Sequence, residues 1–215
     1  MGRRFADRRD AGRALAVALR QDGGLEDPVV LGLPRGGVVV AAEVAIALGA
    51  PLDVVLVRKL GLPEQPELAM GAIAAAGDVV ETVRTLVAVR AGEATFDGVR
   101  ERELVELERR GRLYRAGHEA VPLTGRAVVL VDDGLATGAT MRAAVAAVRR
   151  QAPRSLTVAV PVGSPRVCRE LQPEVDRVLC LESPVSFRAV GQAYRDFSAT
   201  EDAEVVAALR SGRSP

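Results

Sequence analysis

The sequence predicts an α/β fold, a mostly parallel twisted sheet flanked by helices, and three observations predict it. Short apolar runs such as Val29 to Leu33 and Val128 to Val131 show no polar alternation, as expected of strands covered on both faces. These runs alternate with helical patterns in strand–loop–helix–strand order, which reads as parallel βαβ units. Gly- and Pro-containing stretches punctuate the changes of period.

The elements follow in order. Residues 5 to 20 carry Phe5, Leu15 and Leu19 on one side and arginines on the other, an amphipathic opening helix. Asp27-Pro28 leads into the strand Val29 to Leu33, PRGG forms a loop, and Val38 to Ala50 is an almost wholly apolar helix before the strand Asp53 to Lys59. Two prolines in LGLPEQPELAMG, Leu60 to Gly71, predict a loop without regular structure. Ala72 to Ala76 and Val79 to Val89 read as strands joined by a Gly77-Asp78 hairpin turn. Thr95 to Arg115 reads as a helix burying Phe96, Val99, Leu107 and Tyr114, with Glu and Arg paired along its solvated side. A strand at Arg126 to Val131, a helix from Thr140 to Gln151 with Met141, Val145 and Val148 inward, and strands at Leu156 to Val162 and Arg177 to Leu181 complete the core. The tail is irregular and then helical near Glu201 to Leu209. At 215 residues the chain fits one domain, with a core at about 22–90 and 122–182, a helical insertion at about 91–121, and a small cover at about 183–215.

Composition excludes several functions. With 48% hydrophobic and 27% charged residues the chain matches a folded soluble protein, and a net charge of +1 argues against a general grip on nucleic acid. The Arg-containing N-terminus has no signal-peptide core and no window is apolar enough to span a membrane, so a cytoplasmic address is expected. Cys168 and Cys180 are expected to be reduced packing residues. His118, the only histidine, sits in a Gly-flanked loop and is expected to be solvated, which removes a histidine-based zinc site or catalytic triad.

The stretch VVLVDDGLATGAT, Val128 to Thr140, carries the chemistry. An ordinary strand-to-helix turn has no use for two adjacent carboxylates followed by a backbone of small residues. At the carboxyl end of a strand, the N–H groups of Ala136, Thr137, Gly138, Ala139 and Thr140 can converge on an anion at the positive end of the next helix. Thr137 and Thr140 add hydroxyl donors, each contributing about 1.5–3 kcal/mol to a charged phosphate. Ala139 stands where a Walker A motif needs Lys, and the G-x-G-x-x-G of dinucleotide sites is missing. Asp132 and Asp133, about a ribose away from the cradle, can accept bonds from two sugar hydroxyls.

This stretch closely resembles the 5-phosphoribosyl-1-pyrophosphate (PRPP) signature of the type I phosphoribosyltransferases, and the resemblance extends over most of the chain. It implies that family's fold, with the cover at about 183–215 as a hood, and a pyrophosphate loop after the first core strand, often with a cis peptide. LPRGG supplies Arg35, Gly36 and Gly37 there, and Arg58 and Lys59 are similar to the family's basic pair, although strand-end solubility also explains them. The implied reaction transfers a 5-phosphoribosyl group from PRPP to a nucleobase or related nitrogen acceptor, with release of pyrophosphate. Asp132, Asp133, Lys59 and Arg35 are the implied catalytic residues. Mg²⁺ is the implied cofactor, met by Asp132, Asp133 and Asp196.

The acceptor side departs from the family pattern. The acid that 6-oxopurine enzymes carry in the signature is Ala136 here, so the usual hypoxanthine or guanine chemistry is not expected. Glu64 or Glu67 can handle a proton or simply be solvated loop acids. SFRAVGQAYRDF loosely resembles the family's base-stacking segment, one residue too long between Gly191 and Asp196, which makes Phe187 and Tyr194 acceptor or hood candidates unless the rings pack into a satellite core. The 95–115 helix occupies the place of a closing loop, where Arg109, Arg110 and Arg115 either reach the phosphates or line a plain charged helix. Expected partners are PRPP and a small-molecule acceptor, with a homodimer left open and neither nucleic acid nor membrane. The rival reading is a non-catalytic PRPP-binding regulator; a pyrophosphokinase-like relative is a third.

Overall fold

The computed structural model describes residues 4–76, 79–116 and 118–212. Its elements run α1 (Arg8–Asp22), β1 (Pro28–Gly32), α2 (Gly36–Leu48), β2 (Leu52–Leu62), β3 (Gln65–Ala76), β4 (Val79–Arg84), α3 (Leu86–Ala91), α4 (Glu93–Arg115), β5 (Ala127–Val131), α5 (Ala139–Arg149), β6 (Ser155–Val162), α6 (Pro165–Leu171), β7 (Arg177–Glu182) and α7 (Asp202–Ser211). The seven strands form one sheet in the order β4-β3-β2-β1-β5-β6-β7. β2, β1, β5, β6 and β7 are parallel, and β3 and β4 continue antiparallel beyond β2.

This order positions the site. From β1 the chain crosses through α2 to β2 on one side, and from β5 it crosses through α5 to β6 on the other. The strand order therefore reverses between β1 and β5, and a crevice opens beyond their carboxyl ends. β1 and β5 are paired from Pro28↔Ala127 to Gly32↔Val131, so both end level with each other at that crevice.

Helices cover both faces. Leu15 of α1, Val40 of α2, Leu107 of α4 and Leu209 of α7 pack in one core with Val30, Val54 and Val129 of the sheet. Met141, Val145 and Val148 of α5 and Leu171 of α6 pack in the other with Val29, Val128 and Leu130. A third, small cluster joins Phe5, Ala11, Val162, Ala193 and Tyr194 at the crevice end of the sheet.

Three expectations are corrected and one element is added. Leu60 to Gly71 is no long loop: β2 and β3 pair antiparallel through it, Pro63 sits in the short turn between them, and register shifts between Leu60 and Leu62 leave Pro66 out of the paired positions. The strand expected to reach Val89 stops at Arg84, where Thr85 caps α3 by accepting the Val87 N–H. The opening helix starts at Arg8, not residue 5, because Asp7 caps it by accepting the Asp10 N–H, and Phe5 instead bridges to Tyr194. The short α6, with Pro165 in its first turn, was not anticipated. The 95–115 helix forms with Phe96, Val99, Leu107 and Tyr114 buried, as the periodicity predicts. The Gly77-Asp78 turn lies outside the described residues.

The fully buried Leu130 on β5 packs in the core beside the crevice. Leu130→Ala is expected to cost about 2–5 kcal/mol of unfolding free energy. Val105→Ala, on an α4 residue 67% exposed, is expected to stay within about 0.5 kcal/mol of the parent. Urea denaturation of the two variants measures both.

Candidate functional site

Two strand-to-helix loops meet in the crevice. After β1, the Leu33 N–H donates to the Val131 carbonyl at 2.9 Å, which ties the first loop to the end of β5. The Pro34–Arg35 peptide is cis. Gly36 and Gly37 then open α2 directly against the acids. A Cβ on Gly37 would lie 2.8 Å from both Cα and Oδ1 of Asp132, and one on Gly36 would collide with the Asp133 carboxylate and come 2.5 Å from Arg8 Nε. Only residues without side chains let the loops approach this closely.

After β5, the chain passes Asp132 and Asp133 and reaches α5 through Gly138, whose φ of 77° is left-handed. No side chain caps α5. Among the described residues none accepts a hydrogen bond from the N–H groups of Ala136, Thr137, Gly138, Ala139 or Thr140. Ala136, Thr137 and Ala139 are exposed. Unpaired donors at a helix N-terminus make a site for an anion. Beneath the loop, Leu135 is stitched to the end of β6, donating to the Val162 carbonyl at 2.9 Å and accepting the Ser164 N–H at 2.8 Å.

The acids are short of donors. Asp132 Oδ1 accepts the Asp133 N–H at 2.8 Å, and Asp133 Oδ2 accepts from Arg8 Nε at 2.8 Å. No described residue donates to their other oxygens. Burial, followed by the charge of Asp133, pushes the Asp132 carboxyl well above the usual range. Burial also raises Asp133, against the opposing hydrogen bond and charge of Arg8. A pair in this state gains from any ligand that brings hydroxyl donors or positive charge.

Arg8 was not anticipated. With 13% of its side chain exposed beside the 16% of Asp133, it holds the acid, donates to the Ser198 carbonyl at 2.7 Å and lies 4.1 Å over the ring of Phe197. Tyr194 is 1% exposed, so it cannot stack on an acceptor as expected. Its ring packs with Phe5 and Phe197, and its hydroxyl donates to the Asp133 carbonyl at 2.6 Å, holding the acid turn from below. Burial, then the nearby Asp133, keeps that phenol protonated far above neutrality. Phe187 is half-buried against the same cluster. Phe187 thus joins the satellite core that the sequence left as the alternative to a stacking surface, whereas Phe197 stays 37% exposed outside it.

The basic residues divide. Arg35 and Lys59 are exposed, and no described acid pairs with either. Arg58, on the opposite face of β2 from Lys59, is held by Glu103 of α4 at 2.6 Å. The α4 arginines are engaged too: Arg109 and Arg110 both bond Glu106, drawing its pKa down to about 2, and Arg115 pairs with Asp53 at 3.2 Å. The Tyr114 hydroxyl donates to Asp202 at 2.6 Å, which anchors α4 to α7. These contacts favour the plain charged helix over a reach for phosphates.

Among the described residues no three carboxylates, thiols or imidazoles gather as a ready metal centre. Asp196 Oδ1 is occupied by the N–H and hydroxyl of Ser198, which hold its carboxyl below the usual range. Two neighbouring carboxylates with unclaimed oxygens suit Mg²⁺, a hard ion that takes one or two protein carboxylates and completes its shell with substrate and water oxygens. Glu64 is exposed in the β2–β3 turn, His118 is exposed, and the Glu67 side chain lies outside the described residues. A cavity of about 180 Å³ adjoins Arg8 and is lined by Asp7, Arg9, Asp196, Thr200 and Glu204 among others; none of residues 132–140 lines it, so it is distinct from the cradle. No described helix is long and apolar enough to cross a membrane.

Comparisons with known proteins agree with this architecture. The phosphoribosyl transferase domain family matches residues 6–196. A Mycobacterium tuberculosis H37Rv protein, Rv0571c, provisionally named a phosphoribosyl transferase, is 49% identical over 205 residues. That alignment covers 95% of this chain but 46% of the relative, so the chain spans about half the relative's length. The crystal structure of TT1426 from Thermus thermophilus superposes with a TM-score of 0.83 at 47% identity, covering 98% of this chain and 100% of that one. A Neisseria gonorrhoeae protein solved with bound ppGpp shares the fold alone, at a TM-score of 0.51 and 16% identity over 99% of each chain. With the reversal between β1 and β5, the glycine loop against the paired acids and a matched domain that runs through both, the chain belongs to the phosphoribosyl transferase domain family.

Proposed function

We propose that the chain binds PRPP across the β1–β5 crevice and transfers its 5-phosphoribosyl group to a nitrogen acceptor, releasing pyrophosphate. One observation carries the reading: the unpaired N–H groups of Ala136 to Thr140 lie next to two donor-poor carboxylates, themselves packed on a second bare-backbone loop. A phosphate, a ribose and a pyrophosphate need those three surfaces in that order.

The 136–140 loop holds the 5′-phosphate through backbone donors and the Thr137 and Thr140 hydroxyls. Asp132 and Asp133 accept bonds from the 2′ and 3′ hydroxyls and fix the anomeric carbon. The backbone of Gly36 and Gly37, with Arg35 and Lys59, takes the pyrophosphate, whose negative charge grows as the bond to the anomeric carbon breaks in an oxocarbenium-like state. Arg58 joins only by giving up Glu103. Mg²⁺, when bound to Asp132 or Asp133 together with substrate oxygens, supplies further charge neutralisation. The chain's contribution is positioning and preorganised charge.

We assign the acceptor to the polar cavity that adjoins Arg8, whose lining includes no aromatic residue. It suits a small polar nitrogen compound, and Ala136 leaves proton handling to another group.

Incubation with PRPP, Mg²⁺ and a panel of bases and amines is expected to release pyrophosphate with at least one acceptor. PRPP binding without release for any of them replaces the enzyme with a non-catalytic PRPP-binding regulator. Joint Asp132→Asn and Asp133→Asn substitution is expected to abolish PRPP binding by calorimetry, and unchanged affinity removes the ribose assignment. Arg8→Ala, which strands a part-buried carboxylate, is expected to lower unfolding free energy by about 1–3 kcal/mol in urea, with Arg8→Lys recovering part of the loss.

A further inference from the structure

Beside the support of the 135–140 loop, the chain's two cysteines come together over Gly163. Cys168 lies on α6 and Cys180 on β7, both free and half-buried. Their sulfurs sit over Gly163, 2.9 and 3.1 Å from where a Cβ on that residue would be, so the two thiols are neighbours above one glycine. Cys180 Sγ also donates to the Glu182 carbonyl at 3.2 Å and accepts from the Ser183 hydroxyl at 3.3 Å.

The surroundings connect this pair to the loop at 135–140. Gly163, under both sulfurs, bridges to Leu135, and the Ser164 N–H is bonded to the Leu135 carbonyl. Val167, the residue before Cys168, presses its Cγ1 to within 2.5 Å of where a Cβ on Gly138 would be. The wall supporting the loop is therefore the first turn of the helix that carries one of the thiols.

We infer that Cys168 and Cys180 form a reversible disulfide site, oxidised by peroxide, and that closing it loosens the 135–140 loop. The Cys168 thiolate attacks one peroxide oxygen, the O–O bond breaks, and the first water leaves with a sulfenic acid on Cys168. The Cys180 sulfur then displaces the hydroxyl as a second water, so two thiols give up two electrons and two protons to form one S–S bond. A dithiol reductant reverses the exchange. Cys168 is the attacking partner: the Cys180 thiol, when it turns its proton from the Glu182 carbonyl to Cys168, draws Cys168 down to about 7, while the same contact and burial push Cys180 up. Bringing the sulfurs to a covalent separation of about 2.05 Å moves α6 toward β7 and draws Val167 off Gly138.

Only the consequence for PRPP rests on the proposed function. The test treats the full chain with hydrogen peroxide, maps disulfides by peptide mass spectrometry, and follows amide hydrogen exchange across 135–140 with PRPP–Mg²⁺ calorimetry alongside. The expected result is an intramolecular Cys168–Cys180 bond reversed by dithiothreitol, faster exchange in that loop, and about tenfold weaker PRPP binding. Cys168→Ser is expected to keep the exchange of the reduced parent before and after peroxide. Absence of the intramolecular bond, or its formation with unchanged loop exchange, overturns the inference. Failure of both redox forms to bind PRPP overturns the proposed function instead, and loop exchange still decides the disulfide.

Discussion

The contact of Gly36 and Gly37 with Asp132 and Asp133 is the constraint on which the rest of the site depends. Parallel pairing brings β1 and β5 to the crevice at the same level, so the loops that follow them must share one small volume. They do so because one loop brings only backbone and the other brings carboxylates that lie over it. The acids lose water in the process, and this desolvation raises both of them above ordinary carboxyl behaviour. Arg8 restores one charge–charge contact and Tyr194 fixes the backbone of Asp133, yet an oxygen on each acid stays unclaimed. The site thus stores an affinity for hydroxyl donors and cations, and the adjoining N–H groups store one for anions. A phosphorylated sugar answers both demands in a single molecule.

Much of this was legible in the sequence, for reasons that differ between features. Strands covered on both faces read as unbroken apolar runs, so the parallel core and its alternation with helices stand out without an alignment. The paired acids and small-residue loop are local in sequence, and locality makes a motif readable. The partners of those acids are not local. Arg8 lies 125 positions from Asp133 and carries no mark that separates it from any other surface arginine, while Tyr194, 61 away, stands out in SFRAVGQAYRDF but nothing local shows that its hydroxyl serves Asp133. The prolines of Leu60 to Gly71 misled in another way. They interrupt a ladder only where a backbone N–H is needed, and an irregular register removes that need.

The aromatic cluster shows how a stacking surface and a support differ. Tyr194 packs between Phe5 and Phe197, and Arg8 lies over Phe197, so the buried rings of Phe5 and Tyr194 brace the acid turn while Phe197, 37% exposed, covers Arg8. The space left beside Arg8 is lined with carboxylates, arginine and hydroxyls. Its polar lining is mostly solvent-exposed, with Thr200 the buried exception, so it is a wet groove and not a stacking slot.

Charge on the opposite side of the crevice follows similar logic. Arg58 and Lys59 are neighbours in sequence, but strand alternation sends them to different faces of β2. The face toward α4 is already neutralised, since Glu103 takes Arg58 and Glu106 takes Arg109 and Arg110. With Tyr114 anchored to Asp202 and Phe96, Val99 and Leu107 buried, moving α4 would cost a hydrophobic face as well as its ion pairs. Of the three basic residues expected at the pyrophosphate, Arg35 and Lys59 are those that no described acid holds. On the proposed reading a pyrophosphate at Gly36 and Gly37 draws on these two cations, and on Arg58 only by competing with the Glu103 carboxylate already in place.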